Sequence, residues 1–264
     1  AGLRADQFRP KALHRIQRRL IEQNYARCEV NERINRIRRA FQWAASEELI
    51  NESVWASLKT LRNVRAGEAR DNPPRQPADP EQVRRTADHL RNHGPTGAAY
   101  LIEFLRWTGC RPSEGCRATV GDLDRTSVPP RLRLQHHKTY HHTGAARIVP
   151  LNTGAMIAIE SSLAEASRIA PDAPIFRSSR GTAYTANGLY QAVRKACRTL
   201  GEPTWAPYQL RHLVATEAMA STGNEAATAA MLGHTPSSTI VRRYSRDREH
   251  LATQAAMAIE RTTG

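Results

Sequence analysis

Between residues 66 and 80 the chain reads AGEARDNPPRQPADP, with four prolines and no strongly apolar side chain. Proline fixes φ and removes a backbone donor, so this stretch suits neither a helix nor a core. It predicts an extended interdomain linker over 66–80. The 264 residues suffice for two compact domains around it: a small helical one over 1–65 and a larger mixed one over 81–264.

In the first domain, Leu13, Ile16 and Leu20 recur at helical spacing. A second helix is expected from the cap candidate Asn31 through Ile34, Ile37, Phe41 and Ala45, and a third around Glu52 to Leu61. Charge becomes informative here. Thirty-nine Lys and Arg against 25 Asp and Glu leave 39 − 25 = +14, an excess that attracts polyanions, of which nucleic acid is the commonest. The excess is uneven, with ten basic residues against three acidic ones from Arg9 to Arg39. Arg15, Arg19, Arg33, Arg36 and Arg39 are therefore candidates to lie along phosphates. The competing reading is a set of evenly solvated charges.

Past the linker, Asp79-Pro80-Glu81 reads as a helix cap with Pro at the first position, opening a helix to about Arg91. Ala98 to Thr108 is strongly apolar and stops at Gly109. Short strands are expected at Thr119–Asp122, Arg131–Gln135 and Arg147–Leu151. Helices follow at Thr153–Arg168, Thr185–Leu200, Tyr208–Ser221 and Asn224–Leu232, with a tail from Asp247 to about Glu260. No apolar run approaches the roughly 18 residues of a membrane span. The Arg-rich N-terminus has no signal-like apolar region. Cys28, Cys110, Cys116 and Cys197 show no C-x-x-C pairing, which fits a reducing cytoplasm and points away from disulfides and structural zinc. The expected location is the bacterial cytoplasm, at the nucleoid.

Four separated pieces carry the sharpest signal: TGCRPSE at 108–114, HHKT at 136–139, YQLRH at 208–212, and LGH at 232–234 with Tyr244 ten residues on. In this order they resemble the tyrosine recombinases of the phage integrase type, whose catalytic domain carries Arg, Lys, His-x-x-Arg, His/Trp and Tyr. The resemblance covers roughly residues 78–250. The linker and basic N-terminus match that family's core-binding domain more loosely.

Breaking a phosphodiester through a protein nucleophile requires the nucleophile, cationic donors on the phosphate and an acid for the leaving oxygen. Arg111, just past a Gly-terminated helix, and Arg211, at the start of a later one, could clamp the nonbridging oxygens and stabilise transition-state charge. Lys138 is one of only four lysines beside 35 arginines. An amine there can lose a proton, which arginine cannot. The resemblance implies that it protonates the departing 5′-oxygen. It also implies that His234 binds the scissile phosphate and helps the nucleophile, and that the nucleophile is Tyr244. A phenol of pKa about 10 needs such help, and the basic pair Arg242-Arg243 could add to it besides binding DNA. Glu114 and His212 are candidates to orient the arginines.

Two departures stand out. Tyr208 occupies the first position of His-x-x-Arg, where a phenol can donate to a phosphate oxygen but is a poor acid or base near neutrality; His212 could compensate. Only three helices precede the linker where the family usually has four or more, so part of that domain is expected to be missing from this chain.

The resemblance implies a mainly α fold with a small antiparallel β-sheet (α+β), the helical N-terminal domain and the catalytic domain closing on duplex DNA as a C-shaped clamp. Tyr244 would form a 3′-phosphotyrosyl bond and release a 5′-hydroxyl, and a second strand's hydroxyl would reverse the step. It implies no ATP, no metal and no other cofactor, a homotetramer on paired double-stranded DNA sites, and a C-terminal segment packed on a neighbour. A mobile element is one setting, with an accessory DNA-bending protein as a further candidate partner. His136, His137, His141 and His142 could surround one ion, but lack a matching carboxylate or Cys; they are expected to line a DNA-facing hairpin. The rivals are a topoisomerase-like enzyme that cuts without exchange, a noncatalytic DNA-binding protein on an integrase scaffold, and an Arg-rich transcription regulator.

Overall fold

The computed structural model describes residues 4–73, 76–135, 146–166, 169–233 and 248–263. The chain divides into two compact units, Ala1–Pro74 and Arg75–Gly264.

The first unit holds helices α1 (Pro10–Glu22), α2 (Arg27–Ser46) and α3 (Glu52–Leu58). The apolar spacing read in the sequence becomes one small core. Leu13, Val30, Ile34, Leu58 and Val64 are buried, with Phe8, Ile16, Leu20, Ile37 and Phe41 packed around them. Helix α2 begins four residues before the expected cap. Glu29 reaches back to accept from the Ala26 amide at 3.0 Å, satisfying a donor at the real start. Asn31 lies inside the helix and ties down the chain beyond α3 instead. Its amide donates to the Val64 carbonyl at 3.0 Å and its oxygen accepts from the Val64 N–H at 2.8 Å.

Part of the Pro-rich stretch is fastened to this unit. The Arg27 amide donates to the Arg70 carbonyl at 2.7 Å, and Arg27 pairs with Asp71 at 2.6 Å. Ala78, by contrast, is buried in the core of the second unit.

The second unit is built around α5 (Thr96–Thr108), eight of whose positions are buried. Against it pack α4 (Pro80–His93) and α6 (Pro112–Arg117), with a single 3-10 turn at Val120–Asp122. Three short antiparallel strands follow in the order β1 (Leu123–Asp124), β2 (Arg131–Leu134), β3 (Arg147–Pro150), with Leu132 opposite Val149. Helices α7 (Thr153–Ala164), α8 (Ala186–Leu200), α9 (Tyr208–Thr222), α10 (Glu225–Leu232) and α11 (Arg248–Thr263) complete it.

The strand expected at Thr119–Asp122 is not one. The Asp122 carboxylate accepts from both the amide and the hydroxyl of Thr119 at 2.9 Å, a local side-chain alternative to a ladder. The strand proper starts at Leu123. The C-terminal segment, expected on a neighbouring molecule, packs on its own chain. Ala252, Ala255, Ala256 and Ile259, at helical spacing, are buried against Val214, Ala218, Ala227 and Met231. Asn152 donates to the Ala256 carbonyl at 3.1 Å. Small side chains on that face allow the close approach.

Candidate active site

Apolar packing and one ion pair bring the site's two arginine-bearing segments together. Arg106 in α5 donates to both oxygens of Glu217 in α9, at 2.6 and 2.7 Å. This bidentate pair joins the helix that ends before Arg111 to the helix that carries Arg211. At their junction Gly109 adopts φ +60°, and a Cβ there would lie 2.8 Å from a Leu232 methyl and 2.9 Å from a Val214 methyl. Only glycine both turns the chain left-handed and admits the neighbouring helices.

Past that turn, Arg111 caps α6, and Glu114 folds back on it. The Glu114 carboxylate accepts from the Arg111 amide at 2.9 Å and from its guanidinium at 2.8 Å. Glu114 is only 4% exposed. A third donor arrives from the sheet, where Arg147 at the start of β3 donates to Oε2, the oxygen that also accepts from the Arg111 amide. Burial alone would raise the Glu114 carboxyl. The charge of Arg147 and then the bonds from Arg111 outweigh it, so the group titrates below the usual carboxylate range.

Arg211, one turn into α9, is 4% exposed. It donates to the Gly109 carbonyl at 2.9 Å and to the Leu232 carbonyl at 2.6 Å. These bonds spend two of its five N–H groups on anchoring. Desolvation, reinforced by the charges of Arg147 and Arg111, pushes its pKa down to about 10, so it remains a cation at neutral pH. Two guanidiniums, of Arg111 and Arg147, thus bind one carboxylate, and Arg211 lies close enough to feel all three charges, a local surplus of two positive charges. Beside them the Cys110 thiol is pushed up by burial and stays protonated. It is packing, not a nucleophile.

The structure therefore brings together Arg111, Glu114 and Arg211 as the sequence suggests, and adds Arg147, which sequence reasoning missed. The available signal is an Arg opening a short strand that continues with Ile148, Val149 and Pro150. Tyr208 and His212 flank Arg211 on α9, their rings 5.5 Å apart and edge-on. Tyr208 is 39% exposed and His212 half-buried. Lys138, His234, Tyr244, Arg242 and Arg243 lie outside the described residues, as do His136, His137, His141 and His142. Among the described residues no group of three His, Cys, Asp or Glu is placed to hold a metal.

The profile of the phage integrase family matches residues 78–250, an interval that contains every catalytic candidate named above. The chain belongs to the phage integrase family. Its curated relatives include tyrosine recombinase XerC of Corynebacterium efficiens, 26% identical over 227 residues, covering 82% of this chain and 66% of the relative. The XerC of Rhizobium meliloti is 35% identical over 143 residues, covering 53% and 43%. The matched stretch thus spans less than two thirds of these relatives' length.

Among solved structures, the Tn1549 transposon integrase in complex with circular intermediate DNA aligns with a TM-score of 0.59 at 20% identity, covering 92% of this chain and 82% of that one. A lambda integrase dimer bound to a COC' core site gives 0.65 at 15% identity, covering 88% and 80%. At such identities the likeness is one of fold: mainly helical, with a small antiparallel sheet, as the integrase family requires.

On the first unit's surface, Arg15, Arg19 and Arg39 are exposed. Arg36 is exposed too, but pairs with Glu32 one turn away. Arg33 lies over the Tyr25 ring with its guanidinium carbon 4.0 Å from the ring centre. Arg38 is structural, donating to the Leu58 and Leu61 carbonyls, so it anchors the end of α3. No described helix is long and apolar enough to cross a membrane.

Proposed function

We propose that this protein is a site-specific DNA recombinase that cleaves and rejoins strands through a 3′-phosphotyrosyl bond at Tyr244. The observation that carries the reading is the charge surplus: three buried or half-buried guanidiniums, Arg111, Arg147 and Arg211, gathered round the single carboxylate of Glu114. A fixed surplus of this kind, with N–H groups left over on Arg111 and Arg211, suits one tetrahedral anion such as a phosphodiester.

In this scheme Arg111 and Arg211 grip the nonbridging oxygens, while Glu114 keeps the Arg111 guanidinium from rotating away. Lys138 protonates the leaving 5′-oxygen, His234 and Tyr208 add donors to the phosphate, and His212 supports Arg211. Tyr244 attacks in line. The phosphotyrosyl bond conserves the energy of the phosphodiester, so a 5′-hydroxyl can reverse the step without ATP. Membership in the family and the XerC relatives support this reading.

The first unit supplies sequence-independent grip through Arg15, Arg19 and Arg39, with Arg33, Arg36 and the pair Arg242-Arg243 as further DNA contacts. An open groove of about 610 Å³ along α2, lined in part by Arg39, Gln42, Trp55 and Lys59, offers room for it. The working assembly is a tetramer on two duplex sites in the cytoplasm, and excision or integration of a mobile element is one use of it. Solved relatives, among them a lambda integrase tetramer bound to a Holliday junction, support the assembly by analogy.

The test is trapping on nicked suicide duplexes that let the short fragment bearing the freed 5′-hydroxyl diffuse away. Wild type is expected to give a slow-migrating covalent adduct on a denaturing gel, and Tyr244→Phe none. Tight, salt-sensitive binding of the same duplexes without an adduct would instead favour a DNA-binding protein that does not cut. The Tyr208 replacement gives that alternative its footing.

A further inference from the structure

Arg147 lies outside the four motif pieces, yet its guanidinium ties the Glu114 carboxylate to the end of α10. It is 8% exposed. One terminal nitrogen donates to Glu114, and the other donates to the Met231 carbonyl at 3.3 Å. Arg211 takes the very next carbonyl, that of Leu232, at 2.6 Å. Two arginines therefore hold two consecutive carbonyls at the C-terminal end of α10, where unpaired acceptors and the negative end of the helix dipole attract cations.

The chain then turns at Gly233 with φ +67°, where an added Cβ would stand 2.6 Å from the Arg147 Nε. The next residue is His234. Arg147 thus reaches Arg111 through Glu114 on one side, and on the other touches the last turn before His234.

Resting on the function proposed above, we infer that Arg147 is a positioning residue of the cleavage reaction. It locks the Arg111–Glu114 pair to the end of α10, and so fixes the point from which the chain departs toward His234. Its terminal nitrogens are tied to Glu114 and Met231, and its Nε is buried beside Gly233 without a hydrogen-bond partner among the described residues, so the role argued for it is to hold these protein groups in place.

Two consequences separate this role from plain structural support. Arg147→Met keeps the apolar stem but removes the donors. It should slow single-turnover adduct formation on the suicide duplex by about 10- to 100-fold, with the Kd for the same duplex within about threefold. Arg147→Lys, whose ammonium can serve Glu114 or Met231 but hardly both, should recover part of that loss. Because Arg147 works partly through Glu114, the double variant Arg147→Met with Glu114→Gln should be slowed much less than the product of the two single effects.

A second readout needs no activity. Amide hydrogen exchange in a peptide spanning 229–236 should speed up at least tenfold in Arg147→Met, while peptides from α5 and α7 stay near wild type.

An Arg147→Met protein that cleaves at the wild-type rate, loses duplex binding in step with rate, or exchanges evenly faster throughout the unit would overturn the inference. If wild type itself gave no adduct, the recombinase reading would fail. The exchange experiment would then decide the latch alone, and unchanged exchange at 229–236 would reject it.

Discussion

Arginine does two different jobs in the two units. In the first, Arg15, Arg19 and Arg39 stand exposed on helix surfaces. Their charges are spread out, hydrated and screened within about 8–10 Å at ordinary salt. In the second, Arg147 and Arg211 are buried and Arg111 is half-buried, Arg111 and Arg147 bound to Glu114 and Arg211 to the Gly109 and Leu232 carbonyls. Exposed guanidiniums can draw a polyanion in and let it slide. Buried ones hold their donors at fixed points and carry a desolvation cost that only an anion in the right place offsets. The lowered pKa of Arg211 reports that cost.

The contrast would break first at Arg211. Arg211→Ala leaves the Gly109 and Leu232 carbonyls without their buried donor, at about 1–3 kcal/mol each. It also removes the transition-state donor proposed above, for which a loss on the order of 10²- to 10³-fold in cleavage rate is expected. Thermal melting and single-turnover trapping read the two parts separately. Survival of near-normal cleavage would remove Arg211 from the chemistry.

Glu114→Gln comes next. It leaves Arg147 and Arg111 without their counter-charge, and breaking a buried pair from one side costs about 3–5 kcal/mol. The effect has a defined pH signature. The folded carboxyl titrates below the ordinary 4.5, so its stabilisation is complete above that value and is lost as pH falls through the lower, folded pKa. Wild type and variant should therefore differ most near neutrality and converge in acid. A pH-independent difference would mean that Glu114 acts by shape alone.

A smaller effect is expected for Gly233→Ala. The left-handed backbone costs about 1–2 kcal/mol with a Cβ, and the new methyl must push Arg147 aside. Calorimetry should show the loss, and the variant should share the cleavage defect of Arg147→Met.

The first unit gives the mildest response. Replacing Arg15, Arg19 and Arg39 together by Ala should leave stability within about 0.5 kcal/mol per site. The slope of log K against log salt should fall by about 0.9 for each arginine that contacts a phosphate. An unchanged slope would place the DNA elsewhere.

Much of this contrast was legible in the sequence, for physical reasons that differ by residue. The helices of the second unit announced themselves through local devices: Asp79 before Pro80, Gly109 after an apolar run, Asn224 before α10. Arg111 and Arg211 were legible because short motifs surround them. Glu114 was legible as a neighbour three residues from Arg111. Arg147 was not, because its meaning lies in partners 33 and 84 residues away, Glu114 and Met231, and no local pattern encodes such a distance. The start of α2 was misplaced for the opposite reason. Asn31 is a good cap by type, but its side chain is spent on Val64. The turn at Thr119–Asp122 was misread because β-branched residues favour strands, while one Asp122 carboxylate was enough to close a local loop.

The central claim is that this arginine cluster serves a phosphodiester attacked by Tyr244. The most direct measurement is to trap wild type on a nicked duplex, digest the DNA with nuclease, cleave with trypsin and map the modified peptide by mass spectrometry. The account predicts a phosphonucleotide on the tripeptide Tyr244-Ser245-Arg246, absent in Tyr244→Phe and strongly reduced in Arg211→Ala. A nucleotide on any other residue, or an adduct that persists in Tyr244→Phe, would contradict it.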